Sequence, residues 1–461
     1  MKKRLTACIL LLALMLSIAP MTRTTLAQED PGEYSIEAPG PQAENLTRHC
    51  TLSSDLKSTA YTWRLTDEEL NTTQILKPGE RVSISWRDGI PVKAVRMAFK
   101  DYPGAYRIQQ FDAAGTLLKE ESAPLLVNNA VFVEEGTRTV TLVPEEEINL
   151  CSLYAFGEGV VPDYHPWAPT PEKLDYLVVA MHPDDDVLFM GAIPPLYTVE
   201  QGREGSIFYT ATRERVRKNE AENGAWIMGL RNAPILGTFP DIPPSYYEKY
   251  KNTFPQEEVV NCLVALFRRY KPEVVFSHDL EGEYGHWQHK ILAHAVQEAV
   301  PLAADPAYDP SSAEQYGAWQ IKKLYLHLYP ENRIVLPATK PIAAYGGLTP
   351  VQIAAAAFQC HKSQLPSRHA VTKRGRVQHG RLWSGVHPGG HRHPGGERPL
   401  RAYRPSIPSP AAGGGSGDPR AHGYARAYGY PGPHGYPVAH GYARPYGYPG
   451  PHGHACACGY P

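Results

Sequence analysis

The stretch YLVVAMHPDDDVLFMG, residues 176–191, joins an apolar run to a histidine, a proline and three consecutive aspartates. An apolar run that ends in polar residues is typical of a buried strand that stops at the functional edge of a sheet. Adjacent carboxylates repel one another, so we expect Asp184, Asp185 and Asp186 to have separate roles. The proline stiffens the turn, and His182 with one aspartate can then bind a single cation.

Strands and helices alternate around this stretch. The pattern predicts strands at residues 174–181, 206–211, 273–277 and 322–328, and helices at residues 216–230, 257–270 and 286–300. Such alternation favours an α/β fold, a doubly wound and mostly parallel sheet whose ligands bind beyond the carboxyl ends of the strands. The three aspartates follow such an end.

The preceding part of the chain has a different pattern of apolar residues. Short runs of period two, at residues 81–86, 92–98, 106–111 and 137–142, are separated by turn residues and predict an antiparallel β-sandwich. The segment resembles discoidin-type, galactose-binding-like modules, whose ends are often joined by a disulfide, as Cys50 and Cys151 would join these. Such a module can serve as a scaffold or can bind sugar.

The N-terminus indicates export. Basic residues 2–4 precede an apolar run at residues 5–20 and a small-residue cleavage site before Gln28. No other segment is apolar enough to span a membrane, so we expect no stable span after cleavage and a secreted, extracellular or envelope location. The 46 Lys and Arg balance 47 Asp and Glu, which leaves no global field to attract nucleic acid.

These patterns divide the chain into six parts. We predict a signal peptide at 1–27, a linker at 28–48, the β-sandwich at 49–158, a proline-rich linker at 159–172, the α/β domain at 173–376 and a low-complexity tail at 377–461. The patterns do not indicate an oligomeric state.

The tail is rich in Gly, Pro and His and carries a tandem repeat, AHGYARAYGYPGPHGYP followed by AHGYARPYGYPGPHG. At face value it is a His-rich metal-binding or a Gly- and Tyr-rich low-complexity segment. Dropping one nucleotide near Arg376 instead permits EYNTAVFGLVYTQVGTDTP, which alternates like the end of an ordinary domain, and turns the repeats into a Thr-, Ala- and Pro-rich stalk. We therefore interpret the chain as read out of frame from about Gly375 and expect the tail to be disordered.

A second polar motif, HDLEGEYGHWQH at residues 278–289, follows another predicted strand and opens a helix. His286 and His289 are three residues apart, so both rings can point from one helix face into the same cleft. Two imidazoles and one carboxylate leave a fourth position open for water, and this ligand set suits Zn²⁺ best.

Together, HPDDD and GEYGHWQH resemble the motifs of the PIG-L/LmbE-like zinc-dependent N-acetylglucosamine deacetylases, over roughly residues 174–376. The resemblance implies a Rossmann-like domain that hydrolyses the N-acetyl group of an amino sugar. It implies three zinc ligands: His182, Asp185 and His289. It assigns Asp184 as the general base, and His286 as the group that stabilises the oxyanion or protonates the leaving amine. Tyr284 would help to polarise the substrate carbonyl.

The chain departs from the family motifs at two positions. Asp186 replaces the usual Glu and would support the turn, and Gln288 replaces an Asp that in many relatives orients the histidine of the second motif. Loss of that carboxylate could lower the basicity of His286.

Five further side chains are candidates for the site. Arg217 can grip substrate or form a plain surface or capping salt bridge, and Asp241 can bind sugar hydroxyls. His278 can hydrogen-bond behind the metal ligands, and Glu283 can cap the following helix. His361 would form a wall of the cleft or simply pack.

The sequence thus predicts an exported zinc-dependent hydrolase acting on N-acetylglucosamine-containing glycans or glycoconjugates, with an accessory β-sandwich. Export argues for extracellular glycan, cell-wall material or a secreted glycoconjugate as substrate. The rival interpretation is a carbohydrate-binding surface protein whose deacetylase site is weak or inactive.

Overall fold

The computed structural model describes residues 40–55, 59–212, 214–251, 254–365 and 399–403 of the 461. The predicted signal peptide and most of the predicted tail, including the point of the proposed frame change, lie outside these ranges. The described residues form an antiparallel β-sandwich followed by an α/β domain, as the sequence predicts.

The β-sandwich has a five-stranded sheet, in the order β1-β3-β8-β5-β6, packed on a four-stranded sheet, in the order β2-β9-β4-β7. Alternate side chains of both sheets fill a shared apolar core, which is the packing that the period-two runs predict. The strands are β1 (Cys50–Ser54), β2 (Gln74–Leu76), β3 (Val82–Trp86), β4 (Ala94–Phe99), β5 (Tyr106–Phe111), β6 (Leu117–Ser122), β7 (Asn128–Phe132), β8 (Thr139–Pro144) and β9 (Ile148–Phe156).

The predicted disulfide between Cys50 and Cys151 is wrong, because both cysteines are free. They belong to different sheets, Cys50 to β1 and Cys151 to β9. Cys50 packs against the core of the sandwich. The Cys151 thiol instead interacts electrostatically with Arg215 and Lys218, which belong to the α/β domain. Sequence separation and a common β-rich segment do not make two side chains face each other.

The described parts of the two predicted linkers, residues 40–48 and 159–172, are packed rather than free. In the first, Leu46 is 5% exposed and belongs to the core of the sandwich, and its backbone N–H bonds to Ala155 O. In the second, Trp167 is buried against the α/β domain, where Ala168 N–H bonds to Arg231 O. The two domains are therefore joined by ordered chain.

The α/β domain is built on a seven-stranded sheet in the order β12-β11-β10-β13-β14-β16-β15. The strands from β12 to β14 run parallel, while β16 is antiparallel to β14 and β15. The strands are β10 (Tyr176–Ala180), β11 (Gly205–Tyr209), β12 (Ile235–Leu236), β13 (Val274–Ser277), β14 (Lys323–His327), β15 (Arg333–Val335) and β16 (Pro399–Tyr403).

Helices cover both faces of this sheet, each over its own apolar cluster. Helices α4 and α5 pack over one face, and α2 and α7 over the other. The helices are α1 (Asp185–Phe189), α2 (Arg215–Ile227), α3 (Tyr247–Tyr250), α4 (Gln256–Tyr270), α5 (Trp287–Ala304), α6 (Pro310–Tyr316) and α7 (Pro350–Phe358). This arrangement confirms the predicted doubly wound sheet.

Strand β16 lies within the segment for which the sequence predicts disorder, so that expectation fails for Pro399–Tyr403. Without β16, the edge of β14 would present unpaired backbone groups, and any extended segment can satisfy them regardless of its side chains. Within the described ranges, the structure contains no helix that is both long and apolar enough to cross a membrane.

Candidate metal and catalytic site

The site lies at the carboxyl ends of three adjacent parallel strands, and each end supplies a histidine. His182 follows β10 by two residues, His278 follows β13 directly, and His327 is the last residue of β14. Each histidine is at most 5% exposed. The strand order β10-β13-β14 brings these three positions together, as expected where parallel strands end at one edge.

Three atoms form a small triangle at this edge. His182 Nδ1 lies 3.1 Å from Asp185 Oδ2 and 3.2 Å from His289 Nε2, and the distance from His289 Nε2 to Asp185 Oδ2 is 3.2 Å. A tetrahedral zinc ion with bonds of about 2.0 Å has ligand atoms about 3.3 Å apart. The predicted ligands therefore have the spacing that zinc requires.

The second ring nitrogen of each ligand histidine is held by an acceptor. His289 Nδ1 lies 2.8 Å from Glu283 Oε2, and His182 Nε2 lies 3.2 Å from Gln288 Oε1. The Gln288 amide is oriented because its Nε2 donates to Pro240 O and its Oε1 accepts from Ile242 N–H. These acceptors leave His182 Nδ1 and His289 Nε2 facing the triangle, as metal-binding histidines require.

The electrostatics of the triangle favour a cation. Burial lowers the pKa of His289, but Asp185 and Glu283 outweigh burial and raise it to about 10. Burial likewise raises the pKa of Asp185, but His289 and His182 hold it well below its usual value. The pocket thus stabilises positive charge between buried carboxylates. A divalent cation would also supply such a charge.

Two other histidines near the triangle are poor ligands. Two groups of ligating side chains share His289: one adds His182 and His286, the other Asp185 and His278. His278 Nε2 already accepts from Met181 N–H at 2.9 Å, so its lone pair is used. His286 Nδ1 accepts from Gln288 N–H at 3.3 Å, which places the ring proton on Nε2. The best ligand set therefore takes members from both groups.

His286 is placed to donate a hydrogen bond rather than to bind metal. It is the N-cap of α5, and its ring stacks on that of His289 with 4.5 Å between centroids. Burial lowers the pKa of His286 to about 3, so the ring is neutral near pH 7. A neutral ring with a proton on Nε2 can stabilise an oxyanion.

Asp184 stands beside the triangle without joining it. Its Oδ1 accepts from Arg217 Nη2 at 2.8 Å, and Arg217 also donates to Pro183 O and, at 2.5 Å, to Asp241 Oδ2. Burial and the neighbouring Asp185 raise the pKa of Asp184 well above its usual value. Asp184 has a backbone φ of +129°, which a residue other than glycine rarely adopts.

Arg217 is a buried part of the site rather than a surface residue, with 8% of its side chain exposed. It bridges Asp184 and Asp241, and Asp241 Oδ1 lies 3.5 Å from His182 Nε2. The surface or capping salt bridge is therefore the wrong alternative for Arg217. Substrate contacts by Arg217 and Asp241 stay predictions.

Asp186 supports the turn. It is 1% exposed, and its Oδ2 accepts from the Tyr209 hydroxyl at 2.7 Å. Burial raises the pKa of Asp186 to about 7. The first and third aspartates thus have different partners, Arg217 and Tyr209.

Glu283 does not cap the following helix, because His286 fills the N-cap position. Its fully buried carboxylate instead contacts three ring Nδ1 atoms, at 3.1 Å from His278, 2.8 Å from His289 and 3.3 Å from His327. Burial raises its pKa, but these histidines hold it well below the usual value. Glu283 therefore anchors His289, one of the predicted metal ligands, and the two strand-end histidines behind it.

Two predicted cleft residues differ in exposure. Tyr284 is 49% exposed, and its ring lies 5.6 Å from that of His286, so it borders the site from solvent. His361 is fully buried, and neither ring nitrogen has a hydrogen-bond partner among the described residues. Gly224 makes room for it, because a Cβ there would lie 2.9 Å from His361 Nε2.

Three contributions to the site are absent from the sequence predictions. His327 joins the Glu283 cluster, Gln288 orients His182 rather than His286, and Glu283 serves as the shared acceptor. The recurrence of histidine at three successive strand ends could have revealed His327. No local pattern indicates the other two contacts.

Comparisons with known proteins concern the domain that carries this site. Residues 177–300 match the PIG-L family model, described as GlcNAc-PI de-N-acetylase. The chain therefore carries a PIG-L family domain, and both motifs lie within it. This confirms the resemblance that the two motifs indicate.

One curated relative is 1D-myo-inositol 2-acetamido-2-deoxy-alpha-D-glucopyranoside deacetylase 1 of Catenulispora acidiphila. It is 30% identical over 207 residues, which are 38% of this chain and 60% of the relative. The chain thus spans about three fifths of that relative's length.

Solved structures resemble parts of this chain only distantly. One is N,N'-diacetylchitobiose deacetylase from Pyrococcus horikoshii, with 18% identity over 42% of this chain and 72% of that chain, at a TM-score of 0.33. Another is chitosan-binding module 1 from a chitosanase/glucanase of Paenibacillus sp. IK-5, with 14% identity over 25% of this chain and 99% of that chain, at a TM-score of 0.21.

Proposed function

We propose that this protein is an exported, zinc-dependent hydrolase that removes N-acetyl groups from N-acetylglucosamine-containing glycans or glycoconjugates. The observation that carries the proposal is the triangle of His182, Asp185 and His289 with the unligated Asp184 beside it. The PIG-L domain and the curated relative, a deacetylase of an N-acetylated amino sugar, support the reaction class.

The residues divide the work of amide hydrolysis. Zinc, when bound, supplies Lewis-acid chemistry that polarises the amide and makes water more nucleophilic. Asp184 accepts a proton from the attacking water, because it is the carboxylate beside the ligands that stays free of them. His286 Nε2–H donates to the developing oxyanion, and the amine leaves with the proton that Asp184 took from the water. Tyr284 polarises the carbonyl from the solvent side.

Export is supported by the basic, apolar and small-residue pattern of residues 1–27. It places the substrate outside the cytosol and favours extracellular glycan, cell-wall material or a secreted glycoconjugate. Mass spectrometry of the protein from the culture medium should find Gln28 at the N-terminus.

The reaction is tested by acetate release. The purified chain, loaded with one equivalent of zinc, should release acetate from members of a panel of N-acetylglucosamine derivatives and lose this activity on treatment with a chelator. A second sample with the alternative frame from residue 376 controls for the tail. The proposal would be contradicted if both samples bound one zinc per chain but neither released acetate from any glycan.

A second function, sugar binding by the β-sandwich, is favoured by one surface feature. Trp63 is 57% exposed and borders a cleft of about 600 Å³ that is also lined by Asn45, Arg48, Glu68 and Tyr154. An exposed indole face beside amide, guanidinium and carboxylate groups suits a pyranose, which offers both an apolar face and hydroxyls.

We predict that Trp63→Ala weakens binding of a polymeric glycan at least tenfold, because the stacking platform is lost. Turnover of a small soluble substrate should stay unchanged, since the cleft at Trp63 is lined by no residue of the α/β domain. The control is Phe132→Ala, which removes an equally exposed aromatic residue from the same sandwich. Isothermal titration and acetate release measure the two effects; equal losses of binding in both variants would refute a sugar site at Trp63.

A further inference from the structure

Helix α2 presents two faces to different parts of the molecule. Arg217 extends from one face to the catalytic carboxylates, as described above. Arg215, Lys218, Asn219 and Glu222 recur at helical spacing on another face, and each is at most 5% exposed. Four polar side chains buried on one helix stripe require partners, and the β-sandwich supplies them.

Asn128 of β7 is the centre of this contact. Its Oδ1 accepts from Arg215 Nη2 at 2.6 Å and from Arg96 at 3.1 Å. Its Nδ2 donates to Asn219 Oδ1 at 2.7 Å and to Glu222 Oε2. Asn128 is itself 2% exposed, so one amide group satisfies buried partners from both domains.

Two further bonds fix the ends of this contact. Lys218 Nζ donates to Lys100 O and to Asp101 Oδ1, both at 2.6 Å. Arg215 Nη2 donates to Val127 O at 3.0 Å. The sandwich therefore holds the first two turns of α2 from residue 215 to residue 222, with Arg217 between the tethered positions.

We propose that the β-sandwich positions the catalytic base, with Asn128 as a positioning residue that acts through α2 and Arg217 on Asp184. This inference rests on the proposed deacetylase function and assigns the accessory domain a role in turnover. Arg217 reaches Asp184, Asp241 and Pro183 O from a helix whose opposite stripe is bound to the sandwich. A shift of α2 would therefore displace the base, while the zinc ligands, which follow β10 or lie on α1 and α5, stay in place.

Asn129 provides a matched control. It is the next residue on β7 and is 4% exposed, but its Nδ2 donates to the Tyr106 hydroxyl inside the sandwich and does not contact α2. Asn128→Ala and Asn129→Ala thus each remove one buried amide from the same strand. Only the first removes a contact with the helix that carries Arg217.

Both variants are made in the full zinc-loaded chain. For Asn128→Ala we expect kcat to fall about tenfold, with KM within twofold and zinc content unchanged. Amide hydrogen exchange should become faster in α2 and in residues 183–190. For Asn129→Ala we expect a lower unfolding temperature but neither the loss of kcat nor the faster exchange at residues 183–190.

The proposal would be overturned by either of two results. One is an equal change in kcat and hydrogen exchange in both variants. The other is a lower unfolding temperature for Asn128→Ala without a change in kcat or hydrogen exchange. If Asn128→Ala does not fold, Asp101→Ala removes a partly exposed partner of Lys218 and should show the same pattern at about threefold. A chain that releases no acetate would refute the proposed function alone, because the exchange measurement still decides whether the domains are coupled.

Discussion

Replacement of Asp184 by asparagine is expected to lower kcat about 10³-fold while zinc stays bound at one per chain. The amide keeps the size of the side chain and an oxygen that can accept from Arg217, but it cannot take a proton from water. Asp184 Oδ1 is bound by Arg217 and takes no part in the ligand triangle, so the metal should not be affected. Acetate release and zinc analysis on the same preparation measure both quantities.

The neighbouring aspartates separate the roles further. Asp185→Asn should lose zinc, because Asp185 Oδ2 is one corner of the triangle. Asp186→Asn should keep zinc and retain most turnover, because its described side-chain bond goes to Tyr209. If Asp184→Asn lost zinc while Asp185→Asn retained it, the roles assigned to the two aspartates would be reversed.

Replacement of His289 by alanine is expected to abolish zinc binding at micromolar metal and to reduce acetate release to background. His289 contributes one corner of the triangle and also connects it to Glu283. Its removal leaves two ligands and takes one partner from each of the buried carboxylates of Asp185 and Glu283, so the loss cannot be compensated locally. Zinc titration and activity should fall together.

His294→Ala is the control for this variant, because it changes the same residue type on the same helix at an exposed position. It should retain zinc and full activity. Retention of one zinc per chain in His289→Ala would rule out the assigned ligand set and point to His278 or His286 instead.

The strongest predictions from sequence rest on local patterns. Apolar runs fixed the positions of β10 and β13 to within two residues, and polar residues after each run marked the same edge of the sheet. His182, Asp185 and His289 meet there because parallel strands in a doubly wound sheet end on one side. Spacing and strand order are enough to bring a ligand set together.

Local patterns do not predict contacts between distant parts of the chain. The sequence suggests Glu283 as a helix cap because it precedes α5, yet its partners include His327, 44 residues away. No sequence pattern singles out Arg215 and Lys218, yet they are buried against another domain. Cys50 and Cys151 bracket one segment but belong to opposite sheets. Charge and proximity in sequence do not indicate which surface a side chain meets.

The backbone at Asp184 has a consequence for any attempt to make this protein more robust. A non-glycine residue at positive φ costs about 1–3 kcal/mol, and the surrounding contacts must hold it there. Glycine would relieve that cost, so selection for heat resistance alone should favour Asp184→Gly and discard the base. Under the proposed function, thermal stability and turnover therefore make opposite demands on this one residue, and a stabilised variant of the protein has to be sought elsewhere in the chain.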